Sequence, residues 1–581
     1  MNNREITTLW STLIIEELVR HDIIRFCISP GSRSTSLTAA AARNPETECG
    51  VFPDERAAAF FALGYARSAG KPAVLICTSG TAVANYFPAV VEASLDNQPM
   101  LVLSADRPFE LQDSGANQTI RQHGIFGQYP RWDIEFPEPS EEIPAHVLLS
   151  TIGHAVRQSL GTPPGPVHLN VPFRKPFDPV DIPPGNNWTE TGGFRKKERE
   201  PLNRFAFSRK TADTATFNHI QELLKNASSP LLVAGHLDRQ ADAQAVLGLA
   251  GQLNIPLYTD ISSRLRMCRE NRPLQPLLLS ERFTSRFTPD LVLHFGGKIV
   301  GKHLAAAIKQ WAPEHFIVIS SHPTRYNPDH NVTLQIETSP EELAKRLASG
   351  IDRAYGNDLP LDALSSDIER ELDDYCSPEK PVTEIATARI VSSAVSENHG
   401  LFLANSMPIR DMDTYSALRK SGSVPCCGMN RGASGIDGNI ATAAGFAQGL
   451  GTPATLIIGD IAFLHDLNSL TLLRNAKHPL HIVVVNNNGG GIFSFLPIAA
   501  EEDIFETYFG TPQSYSIRSA AETFGIAYSN PSTNAEFREC YSERCRSKKP
   551  GIIEISCSRD ENVREHRALN ARLRELIDRQ L

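Results

Sequence analysis

Asp460 and Asn487 stand 27 residues apart, and each follows directly on an apolar run, ATLIIG before the first and HIVVVN before the second. The second run opens into the stretch Val485–Pro497, VNNNGGGIFSFLP. A carboxylate, a carboxamide oxygen and a backbone carbonyl freed near Gly489 are hard oxygen donors. Mg²⁺ takes such donors into an octahedron that phosphate oxygens complete. Glycines allow the backbone conformations and close approach that an anionic group needs. Taken singly, Asp460 could cap a helix and NNNGGG could be a loose loop. Together, at the spacing of one βαβ unit, they read as a metal–diphosphate site at the carboxyl ends of two strands.

Four arginines sit in loops beside small residues: Arg33 in PGSRS, Arg107 in ADRP, Arg410 in NSMPIR and Arg431 in NRGAS. Alone, each is a solvated charge. Each follows a predicted strand or stands in a distinctive motif, and guanidinium groups grip carboxylates through paired hydrogen bonds. Glu55, in PDER, opens a helical stretch, where a carboxylate is favoured by the helix dipole whatever its function.

Elements must bring these groups together. Short apolar runs such as RFCIS (25–29), AVLIC (73–77), MLVLS (100–104), PLLVAG (230–235) and DLVLHFGG (290–297) alternate with helical stretches, as in βαβ units with parallel sheets. Leu467, Leu470 and Leu473 recur every third residue, as on one helix face. Two segments read as linkers, Lys175–Leu202 and Tyr355–Val382. They leave domains at 1–180, 203–354 and 383–581. The outer domains echo each other: ALGYARSAGKPAVLICTS (62–79) aligns without gaps to AAGFAQGLGTPATLIIGD (443–460), identical at eight of eighteen positions. Duplication of one doubly wound domain explains this, with a strand-tip carboxylate in the second copy alone.

The totals exclude other classes. A chain of 581 residues is too long for one core. A net charge of −9 argues against nucleic acid as the main partner. The ten cysteines form no CxxC pair and read as thiols in a reducing compartment. The N-terminal MNNREITTLWSTLIIEELVR is interrupted by charges and reads as an amphipathic helix, not a signal peptide. No apolar run is long enough to span a bilayer, so the expected location is the cytoplasm.

The GD…NN pair at this spacing resembles the thiamine diphosphate motif, with Ile461 in place of its usual third residue, glycine. The wider set SPGSRS (29–34), PDERAAAFFALG (53–64), TSGTAVAN (78–85), ADRPFEL (105–111), GANQTI (115–120), NRGASGIDG (430–438), HDLNSL (465–470) and NNNGGGIFSFLP is similar to the 2-succinyl-5-enolpyruvyl-6-hydroxy-3-cyclohexene-1-carboxylate synthase family. The resemblance implies three α/β domains (pyrimidine-binding, central and diphosphate-binding) and a thiamine diphosphate-dependent transferase of menaquinone biosynthesis. It implies Mg²⁺, or Mn²⁺, held by Asp460, Asn487 and Gly489. It implies Glu55 as the acid on the cofactor's pyrimidine, driving the tautomer that deprotonates the thiazolium. Ile436 props the cofactor, and Ser406, Ile492 and Phe493 lie beside it.

The implied substrates are 2-oxoglutarate, which is decarboxylated, and isochorismate, to which the succinyl unit adds in 1,4 fashion. The same resemblance places Ser32, Arg33, Arg107, Asn117, Gln118, Lys302, Arg410, Arg431, Phe493 and Leu496 at the substrate, and it puts the active sites at the interface of a homo-oligomer. His303 stands where the family often has a second basic residue. His123 and His465 have no role in this scheme. GGKIVGK (296–302) falls short of a P-loop, because His303 replaces the required hydroxyl. An acetolactate synthase type would use FAD, for which no GxGxxG is present. Retention of Glu55, Asp460 and Asn487 together argues against a catalytically dead binding subunit.

Overall fold

The computed structural model describes residues 1–181, 200–356, 358–419, 424–474 and 476–581. Three sheets carry the chain. The first contains β1 (Arg25–Ile28), β2 (Glu48–Val51), β3 (Val74–Cys77), β4 (Met100–Asp106), β5 (Trp132–Glu135) and β6 (Pro166–Pro172), in the order β2-β1-β3-β4-β6-β5. The second contains β7 (Pro230–Ala234), β8 (Leu257–Thr259), β9 (Leu291–Phe295), β10 (His315–Ser320) and β11 (Leu334–Glu337), in the order β11-β10-β9-β7-β8. The third contains β12 (Gly400–Leu403), β13 (Cys427–Met429), β14 (Ala454–Gly459), β15 (Leu480–Asn486), β16 (Ala527–Ser529) and β17 (Gly551–Ser556), in the order β13-β12-β14-β15-β17-β16. Pairing is parallel throughout the first two sheets and between β12 and β13, β12 and β14, β15 and β17, and β16 and β17.

Renumbered from its own first strand, the third sheet has the same strand order as the first. That shared topology is what duplication predicts, and a helix–Gly–Pro–strand coincidence would not produce it. Central strands such as VLIC in β3 and PLLVA in β7 are buried at every position. Helices on both faces of a parallel sheet leave no solvent side, which explains the unbroken apolar runs.

By contact density the chain forms two compact units. One holds Met1–Phe207, Asn430–Thr452 and His465–Leu480; the other holds Ser208–Met429, Pro453–Leu464 and His481–Leu581. The second and third sheets share the second unit, with one apolar cluster running from Leu231 through Val483 to Ile577. The Tyr355–Val382 segment is not the bare linker its polar sequence suggests. Leu361–Tyr375 is a helix that buries Leu364, Ile368, Leu372 and Tyr375 in that cluster. Four apolar residues at helical spacing were enough to dock an otherwise acidic segment. Of the Lys175–Leu202 segment, residues 182–199 lie outside the described residues.

The leucine triplet also differs from expectation. Leu467–Leu473 is a 3₁₀ helix, in which side chains three apart eclipse, so the same spacing still yields one face. The N-terminal segment forms the expected helix, Asn3–Arg20, capped by Asn2 and Glu5, with Leu9, Trp10, Leu13 and Leu18 buried. Among the described residues, no helix is long and apolar enough to cross a membrane.

Candidate active site

Within the first unit, four loops converge beyond the ends of β1, β3, β4 and β6. Arg33, in the loop after β1, is buried, donates from Nη1 to the Phe173 carbonyl at 2.6 Å and lies 4.5 Å over the Phe177 ring. Arg107, after β4, donates to Ser79 Oγ at 2.8 Å and to the Asn117 carbonyl at 2.9 Å. Gln118, at φ +58°, returns a hydrogen bond from Nε2 to the Ser79 carbonyl at 3.0 Å. Burial, and then the like charge of Arg107, bring Arg33 down to about 10. The Asp106 and Glu110 carboxylates oppose this shift. Ser32, Asn117 and Gln118 are exposed beside the two arginines. His123 instead pairs at the surface with Asp133, at 3.0 Å.

Glu55 is the first residue of the helix Glu55–Ala69, whose N-cap Asp54 accepts the Ala57 N–H at 3.3 Å. Its neighbour Arg56 donates to the His465 carbonyl at 3.0 Å and lies 3.6 Å from Asp466. Asp466, fully buried, accepts the N–H groups of Ile440 and Ala441, the first turn of the helix Asn439–Leu450. That helix follows the loop NRGASGIDG. A second buried carboxylate, Glu92, holds this loop by accepting from Gly432 at 2.7 Å, Ala433 at 2.6 Å and Ser434 at 3.3 Å. Arg431 is half-buried there, and Ile436 is 39% exposed. The offset that aligns the echoing segments also carries Glu55 onto Ile436, and Ser79 onto Asp460.

The second unit holds the metal-type donors. Asp460 follows β14 as the first residue of a short helix, and it is buried. Its Oδ2 accepts the Gly489 N–H at 2.8 Å, so the carboxylate lies against the NNNGGG loop after β15. Burial, opposed by backbone N–H groups of Gly489 and Ile461, raises Asp460 to about 6. Tyr515 donates to the Asp460 carbonyl at 2.8 Å. Asn487 is buried and donates from Nδ2 to Glu384 at 2.8 Å, while its Oδ1 has no hydrogen-bond partner among the described residues.

An orphaned buried carbonyl oxygen costs about 1–3 kcal/mol unless something absent from the chain satisfies it. Gly489 sits at φ +138°, and a Cβ there would run into the Gly510 carbonyl. Arg559 Nη1 is buried without a hydrogen-bond partner among the described residues and lies 3.6 Å from that same Cβ position. A hard cation beside Asn487 Oδ1 with an anion near Arg559 fits all of these groups. Among the described residues, no cluster of three or more His, Cys, Asp or Glu could hold a metal.

Around this loop, Gly491–Phe495 is a 3₁₀ turn with Ile492 and Phe493 half-buried, Phe493 meets Phe509 edge-on at 5.7 Å, and Leu496 is 47% exposed. Ser406 caps the helix Met407–Tyr415 at φ +74°, a strained value for serine, and its carbonyl accepts from Arg410 Nη1. Lys302 and His303 are exposed at the start of the helix Lys302–Trp311.

The central sheet's switch point lies between β7 and β9, where doubly wound folds bind dinucleotides. Here the two loops are laced together: His236 N–H to the Lys298 carbonyl at 3.1 Å, and Gly297 N–H to the His236 carbonyl at 2.8 Å.

Sequence reasoning missed Glu92, Glu384, Tyr515 and Arg559. Asp466 was in view inside HDLNSL, but without a role. Glu92 and Glu384 sit in helical stretches with ordinary carboxylate spacing, so no local signal set them apart.

Models of the thiamine pyrophosphate enzymes match most of the chain: the N-terminal TPP binding domain over residues 10–125, the middle domain over 203–403 and the C-terminal TPP binding domain over 415–555. A 2-succinyl-5-enolpyruvyl-6-hydroxy-3-cyclohexene-1-carboxylate synthase from Chlorobium phaeobacteroides (strain BS1) is 68% identical over 581 residues, covering 100% of both chains. A protein of the same name from Prosthecochloris aestuarii is 55% identical over 580 residues, again covering 100% of both. Among solved structures, one described as a thiamin diphosphate-dependent enzyme isolated from Mycobacterium smegmatis superposes with a TM-score of 0.70 at 16% identity, over 94% of this chain and 99% of that one. At that identity the likeness speaks for the fold alone.

Proposed function

The chain belongs to the 2-succinyl-5-enolpyruvyl-6-hydroxy-3-cyclohexene-1-carboxylate synthase family of thiamine pyrophosphate enzymes, and on that premise we propose how its residues divide the work. The reaction belongs to menaquinone biosynthesis: 2-oxoglutarate is decarboxylated, and its succinyl unit is added 1,4 to isochorismate. In enzyme classes this is a transferase. Thiamine diphosphate, when bound, supplies the nucleophilic carbon and the electron sink.

The chain's own groups bind, orient and move a proton. Asp460, Asn487 Oδ1 and the Gly489 carbonyl hold Mg²⁺, or Mn²⁺ in its place, and the glycines admit the diphosphate. Glu55 gives and takes the proton at the pyrimidine nitrogen. Ile436 and Ser406 would support the cofactor. Ile492, Phe493 and Leu496 keep water from the reacting carbon. Arg33 and Arg107, with Ser32, Asn117 and Gln118, bind carboxylates of the substrates. Arg410, Arg431 and Lys302 serve the remaining anionic groups.

The acid and the metal ligands fall in different compact units. We assign each complete site to two copies of the chain, Glu55 from one and Asp460 from the other. The exposure of Ile436 and Leu496, 39% and 47%, supports this, because a second copy would cover them. All ten cysteines are free, which supports a reducing, cytoplasmic setting.

The observation that carries the metal site is the buried, unpartnered Asn487 Oδ1 on the loop that Asp460 grips. The test is direct. Purified protein is mixed with Mg²⁺, thiamine diphosphate, 2-oxoglutarate and isochorismate, and isochorismate is followed by its absorbance. Cofactor-dependent loss is expected; its absence overturns the assignment.

A further inference from the structure

A carboxamide has two chemically opposite ends, and only its oxygen can ligate a hard cation. Something must therefore decide which way Asn487 points. Glu384 is the first residue of the helix Glu384–Ala394, behind the N-cap Thr383, where a carboxylate ordinarily faces solvent. Here it is buried at 3% exposure and accepts Asn487 Nδ2 at 2.8 Å, with the Cys557 thiol 3.8 Å from the same oxygen. Turning the amide over would press Oδ1 against a carboxylate oxygen and aim an N–H at the cation position. The orphaned Oδ1 is the other half of the same arrangement.

We infer that Glu384 is a positioning residue for metal binding: by accepting from Asn487 Nδ2, it commits the amide oxygen to the cation. This rests on the reading of Asp460 and Asn487 as metal ligands. Glu384 itself touches neither metal nor cofactor. Partners that orient a metal ligand typically contribute about 10–100-fold in affinity.

The probe is Mn²⁺, its dissociation constant measured by electron paramagnetic resonance on the full chain with thiamine diphosphate present. Four variants accompany the wild type: Asp460→Ala, Asn487→Ala, Glu384→Met and the double Asn487→Ala/Glu384→Met. Glu384→Met keeps the bulk and removes the acceptor. It is expected to weaken Mn²⁺ binding by about 10–100-fold, and this loss should vanish in the Asn487→Ala background. A merely structural role would cost the same in both backgrounds, and that result overturns the inference. So does Mn²⁺ binding by Glu384→Met within about twofold of wild type while Asp460→Ala loses it. If wild type and Asp460→Ala bind Mn²⁺ alike, the metal-site reading itself has failed. Should Glu384→Met not fold, as judged by its melting curve, Glu384→Gln takes its place in the same comparison, since its amide lets Asn487 pair in either orientation.

Discussion

Gly64 and Gly445, equivalent positions of the two echoing segments, are each pressed into the other's helix. A Cβ on Gly64 would overlap the Thr442 carbonyl, and one on Gly445 would overlap the Phe61 carbonyl. Phe61 and Thr442 are themselves equivalent under the same offset, so the contact is reciprocal, as in a two-fold interface. The helices Glu55–Ala69 and Asn439–Leu450 also end alike, at left-handed Gly70 and Gly451. This crossing fixes the starts of both helices, from which Glu55 and the Ile436 loop emerge.

Gly64→Leu and Gly445→Leu should therefore each destabilise the protein by at least about 1–3 kcal/mol, as overpacking does. Gly248, in an exposed helical position with open space around it, is the control. Gly248→Ala should stabilise by about 0.5–1 kcal/mol. Urea unfolding measures all three.

Glu55→Gln should cut turnover by about 10²–10⁴-fold, the usual worth of a positioned acid–base group. Cofactor affinity, measured by calorimetry, should stay close to wild type, because the metal and diphosphate contacts are elsewhere. Turnover equal to wild type would remove Glu55 from the proton transfer.

Asp460→Ala should show the opposite pattern. Metal-dependent binding of thiamine diphosphate is lost, while the melting temperature without ligand changes little or rises. The rise has a cause: the site buries a carboxylate whose desolvation the Gly489 and Ile461 N–H groups offset only in part. Unchanged calorimetric binding would show that the metal sits elsewhere.

Glu92→Ala leaves three backbone N–H groups of the Arg431–Ile436 loop without their acceptor. Hydrogen exchange at Gly432, Ala433 and Ser434 should quicken far more than in the helix Glu55–Ala69. Equal quickening in both would mean general unfolding, not release of the loop.

His566 supplies a pH dependence. Its Nε2 lies 2.9 Å from Asp411. Burial alone would lower its pKa, but Asp411 outweighs that and raises it from 6.5 to about 9. A group whose folded pKa is raised stabilises fully below its unfolded value and loses that contribution as pH rises through the folded one. The stability difference between wild type and His566→Gln should be largest below pH 6.5 and gone above pH 9. Its full size is on the order of 3 kcal/mol.

The chemistry was legible in the sequence wherever it depends on the ends of strands. Asp460 after ATLIIG and Asn487 after HIVVVN could be placed at one sheet edge, because an apolar run ending in polar residues fixes where a buried strand stops. The parallel sheets and the repeated outer domain followed from the same local patterns. Tyr355–Val382 was misread, since a few buried leucines dock a helix that composition alone makes look solvated.

The supporting carboxylates were out of reach for a different reason. Glu92, Glu384 and Asp466 act on loops 340, 103 and 25 residues away, measured to Gly432, Asn487 and Ala441. A helix-borne glutamate looks the same in sequence whether it faces water or a buried backbone amide. Residue types and strand boundaries singled out the candidate donors Asp460 and Asn487, and the family resemblance added Glu55. Only the tertiary structure decided which carboxylates were taken out of solvent to orient them, because burial and hydrogen-bond partners are properties of packing between distant segments.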